Sequence, residues 1–221
     1  MKTTLAITLI GLFGLIGTLH TTPARAADPA TELGWQLHEA GKHAGALARF
    51  RQAAIRGDPL GQFNLAAMLL VGEGGPVRTR EGLTWLRRAA DAGLARAQHA
   101  MAALYERGEH VPRSLPAATA WYRKAAEQGW RESQVELATQ HFLGRGAAHD
   151  EREAAYWYEQ AARQGHPGAC YLIASFYEHG RGVARDLERA SRWYARAAAL
   201  GERGADLKAR ETRQLLMALD G

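Results

Sequence analysis

A single cysteine, Cys170, stands in 221 residues. No internal disulfide can form, and a Cys-x-x-Cys redox motif or cysteine-rich zinc knuckle is excluded. Lysine is scarce too, at four positions (Lys2, Lys42, Lys124, Lys208). The net charge is +5, but arginines alternate with Asp and Glu and no five like charges run together, so a nucleic-acid partner is not expected. Catalytic signatures are also missing. There is no Ser-x-x-Lys and no Gly-x-Ser-x-Gly. The nine histidines have no repeating phase and no His-x-x-x-His spacing, so no metal site is expected. GEGGP at 72–76 and GRG at 144–146 lack the lysine of a phosphate loop and read as inter-helix turns. No cofactor is implied, and the chain reads as non-enzymatic.

What the sequence does contain is a period. Trp85, Trp121, Trp157 and Trp193 follow one another at intervals of 36 residues. The Ala-Ala pairs at 89/90, 125/126, 161/162 and 197/198 keep the same phase, as do Gly93, Gly129, Gly165 and Gly201. A repeat of this length means a solenoid or array, in which each unit buries its apolar face only against its neighbours. Each copy closes with a small residue, Trp, Tyr or Leu, Ala and Ala at i, i+3, i+4, i+7 and i+8, such as Ala190, Trp193, Tyr194, Ala197 and Ala198. That is one face of an α-helix. A preceding helix carries a small residue, Gln or Cys, then Leu, Met or Ile, Ala and often Tyr, as in Ala169, Cys170, Ile173, Ala174 and Tyr177. Cys170 takes the place of Gln62, Gln98 and Gln134 and reads as a packed residue.

Glycines 72, 108, 144 and 180 are placed to end the first helix. Gly74, Gly146 and Gly182 follow two residues later; His110 replaces this glycine in the second copy, which predicts a different loop there. Ser114, Asp150 and Asp186 stand at N-cap positions, with Arg78 a departure, and Asp150 with Glu153 has capping-box spacing.

The chain divides as follows. Residues 1–26 read as a secretory leader, with Lys2, an apolar stretch from Leu5 to Leu19, and Ala24-Arg25-Ala26 ahead of a cut after Ala26. That places the mature chain in the periplasm or outside the cell. Two of the 28 basic residues, Lys2 and Arg25, leave with the leader, so 26 remain against 23 acidic ones, a net +3. Residues 27–57 form a linker and degenerate N-terminal repeat, with Leu33, Leu37 and Ala40 on its first helix. Full repeats occupy 58–93, 94–129, 130–165 and 166–201. Residues 202–221 form a C-terminal capping helix with Leu207, Leu215, Leu216 and Leu219 available for a face.

The last copy, Ile173-Ala174, Tyr177, Gly180-Arg181-Gly182-Val183, Asp186, Ala190, Trp193-Tyr194, Ala197-Ala198, Gly201, resembles the Sel1-like repeat, a relative of the tetratricopeptide repeat. The resemblance spans about residues 30 to 219. It implies an all-α fold, a right-handed α/α superhelical solenoid, acting as an adaptor or scaffold that binds proteins or envelope components. The cysteine-rich exported branch of the family carries a disulfide in each repeat, and this chain departs from it.

In solenoids of the tetratricopeptide type the first helices line the concave surface. Counting 100° per residue from Leu65 places a second strip about a third of a turn from the core stripe. It comprises Phe63, Leu70, Val135, Phe142 and Tyr171, interrupted by His99, Glu106 and Glu178. An apolar groove with a few polar groups suits a protein or peptide partner. The alternatives left open are a cell-envelope polysaccharide such as peptidoglycan, and side chains that only pack between repeats.

Overall fold

The computed structural model describes residues 28–219; the predicted leader and its cleavage point lie outside them. Eleven helices and no strand occur among the described residues. They are α1 (Pro29–Glu39), α2 (His43–Ile55), α3 (Pro59–Val71), α4 (Thr79–Asp91), α5 (Ala95–Arg107), α6 (Leu115–Glu127), α7 (Arg131–Leu143), α8 (Glu151–Arg163), α9 (Pro167–His179), α10 (Leu187–Ala199) and α11 (Ala205–Leu219). None is long and apolar enough to cross a membrane. The described chain forms two compact units, residues 28–101 and 102–219, divided within α5.

In the first unit, Asp28 caps α1 by accepting from the Ala30 N–H at 2.8 Å. The helix therefore starts at Pro29, whose missing N–H costs nothing at N1. Its buried residues are Ala30, Thr31 and Gly34. The expected stripe is rotated: Leu33 is exposed and Leu37 half-buried. Gly34 sets the rotation, because a Cβ there would lie 2.6 Å from the Phe50 ring. Phe50 thereby reaches a core with Ala46, Ala54, Leu65, Met68 and Leu69, walled by Trp35 and Trp85. Close approach through small residues recurs at Gly61, against Ala53, and at Gly82, against Leu70.

In the second unit three caps stand where the sequence places them. Ser114, Asp150 and Asp186 accept backbone N–H groups of α6, α8 and α10. The capping box at Asp150 does not close. The Asp150 N–H donates to the His141 carbonyl, and the Glu153 carboxylate accepts from Trp157 Nε1–H at 3.1 Å. Nor does His110 change its loop as expected. It holds φ +62°, the left-handed conformation taken by Gly74, Gly146 and Gly182. The fold demands that backbone, and His adopts it at a cost glycine does not carry.

Helix α11 packs through Ala205, Ala209 and Thr212, at i, i+4 and i+7, while Leu207, Leu215 and Leu219 are exposed. Three of the four expected leucines therefore lie off the packing face, and only Leu216, half-buried, continues it. Small side chains let α11 lie close against α10, and Ser191 Oγ donates to the Ala209 carbonyl at 3.4 Å.

One device links successive hairpins. In the first unit Gln62 Nε2 donates to the Ala54 carbonyl at 3.4 Å and Gln98 to Ala90 at 3.1 Å. In the second, Gln134 donates to Ala126 at 3.2 Å, and the Cys170 thiol meets Ala162 at 3.5 Å. Each carbonyl lies in the last turn of a helix and already accepts from the glycine N–H three residues on; the side chain takes its second lone pair. Burial pushes the Cys170 thiol up, which keeps it protonated for this contact.

Candidate interaction surface

The structure separates the predicted strip into buried and accessible parts. In the first unit Phe63 and Leu70 are 1% and 5% exposed, so neither offers a side chain to a partner. Two contacts account for this. The Arg96 guanidinium lies 5.6 Å above the Phe63 ring, and Leu70 fills the space left by Gly82 on α4. Helix α3 is buried continuously from Gly61 to Leu70. The unbroken apolar run Leu65–Val71 was the signal for this, since a helix apolar all round is a buried one. His99 is half-buried.

In the second unit Glu106, Val135, Phe142, Tyr171 and Glu178 are all half-buried. The two glutamates already hold core tyrosines. Tyr122 Oη donates to Glu106 at 2.9 Å, and Tyr194 Oη to Glu178 at 2.7 Å. Each pair joins the two helices of one repeat across 16 residues. In the repeat between them Phe142 takes the glutamate's place, and the Tyr158 hydroxyl pairs with Thr139 at 3.0 Å instead. Burial, then the facing carboxylate, pushes the Tyr122 and Tyr194 hydroxyls up. They stay protonated as donors. Sequence reading missed these pairings, although the match of Tyr122 with Glu106 and Tyr194 with Glu178, against Leu86 with Leu70, was the available signal.

The aromatic part of the strip lies on α7 and α9. Phe142 packs against Phe176 with ring centroids 5.4 Å apart, and Arg181 lies 5.9 Å from the Phe142 centroid. Tyr171 sits edge-on to Tyr194 at 5.1 Å. At one end Lys208 of α11 reaches Glu178 at 3.6 Å, and a shallow depression of about 440 Å³ opens beside Glu178, Lys208 and Leu215. The surface therefore combines half-buried rings with cations and hydroxyls.

Glu136 lies on α7 next to Val135. Burial, and then the nearby Glu106, raise its carboxyl above the ordinary range. A carboxyl raised in the folded state supports stability below its unfolded pKa, and that support is lost as pH rises through the folded value. Glu136→Gln is therefore expected to raise the melting temperature at about pH 7 and leave it nearly unchanged at about pH 4. Thermal unfolding followed by circular dichroism at both pH values checks this.

The comparisons with known proteins agree with this repeat architecture. The Sel1 repeat family matches residues 59–94, 95–130, 131–166 and 167–202. The chain belongs to the Sel1-repeat family, with its all-helical repeat-solenoid fold. A Sel1 repeat protein from Oxalobacter formigenes is similar at 29% identity and a TM-score of 0.76, over 82% of this chain and 74% of that one. A protective antigen of uropathogenic Escherichia coli strains, displaying an SLR fold, is similar at 29% identity and a TM-score of 0.76, over 81% of this chain. The match spans only 39% of the antigen's length. Comparison with curated proteins by sequence finds no match.

Proposed function

We propose that this chain is an exported, non-catalytic scaffold that binds a protein or peptide segment on the α7–α9 surface of its second unit. The observation that carries the reading is the half-buried strip of Val135, Phe142 and Tyr171, whose first-unit counterparts Phe63 and Leu70 are sealed inside. Rings half in contact with the core are ordered before binding, so little rotamer freedom is lost when a partner covers them. Thr139 and Ser175 between them, with Arg181 and Lys208 at the margins, suit the polar backbone and acidic groups of a peptide. Export rests on the leader at residues 1–26, and the scaffold role on membership of the Sel1-repeat family.

The test is a photo-crosslinker at position 171 in living cells, with mass spectrometry of the adducts. A discrete protein, competed by unlabelled chain, is expected, and Phe142→Ser should lower its affinity about tenfold or more. Adducts on muropeptides alone would replace this reading with polysaccharide binding.

A further inference from the structure

The first unit holds a cluster that neither the repeat architecture nor the proposed binding surface uses. The connection between α1 and α2 is short, residues 40–42, and turns at Gly41 with φ +71°. His38 in the last turn of α1 and His43 at the start of α2 are thereby brought to one end of the hairpin, their rings 5.1 Å apart. Glu73 arrives from the α3–α4 loop, immediately after the left-handed C-cap Gly72. Gly74 makes that approach possible: a Cβ there would lie 2.5 Å from the His43 carbonyl oxygen.

The three side chains converge on one point. His38 Nε2 lies 3.2 Å from Glu73 Oε1, and His43 Nδ1 lies 3.0 Å from the same oxygen. All three donor atoms fall within 4.8 Å of one another. His43 Nδ1 is shielded from solvent and faces the carboxylate without the alignment of a hydrogen bond. Among the described residues no other three His, Cys, Asp or Glu side chains converge so closely.

We propose that His38, His43 and Glu73 bind a first-row divalent cation of the zinc class. Zinc takes imidazole nitrogen and carboxylate oxygen at about 2.0–2.2 Å, so tetrahedral ligands stand about 3.3–3.6 Å apart, slightly more than the two separations to Glu73. Two imidazoles and one carboxylate favour zinc, copper or nickel over calcium or magnesium, which prefer all-oxygen sites. Three protein ligands leave a fourth position for water. An apolar wall supports the site: Trp35 sits edge-on to His38 at 5.6 Å and to Phe50 at the same distance. The cluster is particular to this end of the chain. The residues 36, 72 and 108 positions after His43 are Thr79, Leu115 and Glu151, none of them an imidazole. A bound ion would tie the α1–α2 hairpin to the α3–α4 loop, fastening the degenerate first repeat to the next.

The experiment is calorimetric titration of the chelator-stripped full chain with zinc chloride, repeated for Glu73→Gln and His43→Gln, with His179→Gln as control. One zinc per chain is expected, weakened more than about tenfold by either ligand change and unaffected by the control. Saturating zinc should also raise the melting temperature by about 5 °C. Glu73→Gln keeps the side-chain shape, and circular dichroism of the stripped variants confirms that they are folded. On the wild-type chain, cobalt should selectively broaden the His38 and His43 imidazole NMR signals. Absence of zinc binding to the wild-type chain, binding undiminished in folded Glu73→Gln, or cobalt broadening of other histidines instead would each overturn the proposal.

Discussion

Replacing Gly182 by alanine is expected to destabilise the second unit by about 2–5 kcal/mol, while the same change at Gly180 costs about 1–2 kcal/mol. The two glycines share one loop and nearly one conformation, φ +64° and +69°. An alanine at either position must enter the left-handed region, at about 1–2 kcal/mol. The remaining difference is steric. A Cβ on Gly180 would meet Arg185 Cβ at 3.4 Å, a contact a small shift relieves. A Cβ on Gly182 would lie 2.0 Å from the Glu151 carbonyl oxygen and 2.7 Å from the Arg152 nitrogen. Those atoms open α8 and are held by its Asp150 cap, so the loop itself must move away from α8. Displacing packed structure costs about 1–3 kcal/mol more. Urea unfolding of both variants, followed by circular dichroism, measures the difference. Equal losses would mean that the loop can leave α8 freely.

The same pair of glycines shows what was legible in the sequence. That Gly180 ends α9 follows from its place after an apolar stripe, a local relation. That Gly182 exists to let a loop touch α8 does not, because the contacting atom lies about thirty residues earlier. His110 makes the point from the other side: a side chain in place of glycine predicted a different loop, yet the packing imposed the same backbone. The helices, their caps at Ser114, Asp150 and Asp186, and the small–Trp–aromatic–Ala–Ala stripe were legible because helical spacing is local and appears four times in phase. Which side chains of the strip remain accessible was less so. Leu70 and Phe142 hold the same register position, and the difference lies in the neighbouring helix, which carries Gly82 against Leu70 where the later repeat carries Ala154. The His38–His43–Glu73 cluster was hidden for a related reason. Two ligands flank a turn rather than one helical face, and the third comes from another hairpin, so no linear motif exists.

Trp121→Ala is expected to cost about 3–5 kcal/mol, and Trp193→Ala no more than about half of that. All four repeat tryptophans hold one register, so sequence alone gives them equal weight. The structure does not. Trp121 and Trp157 are each 7% exposed, whereas Trp85 and Trp193 are half-buried. The Trp121 ring sits on α6 beside Ala118, Ala125 and Ala126, which are fully buried or nearly so. The alanines let neighbouring helices approach, and the indole fills the space that remains beside them. Removing it leaves a void that small, rigid neighbours cannot collapse into, which is the costly case of a large-to-small change. Lys124 Nζ lies 4.3 Å from the ring centroid and loses its cation–π partner as well. Trp193 already meets solvent on one side, with Arg196 at 5.4 Å, so water replaces part of what alanine leaves empty. In a repeat array each junction contributes separately to stability. The Trp121 change should therefore also split a single unfolding transition into two, with the residues around α6 and α7 losing hydrogen-exchange protection first. A melting curve unmoved by Trp121→Ala, or equal losses at Trp121 and Trp193, would contradict a larger packing contribution from the buried indoles.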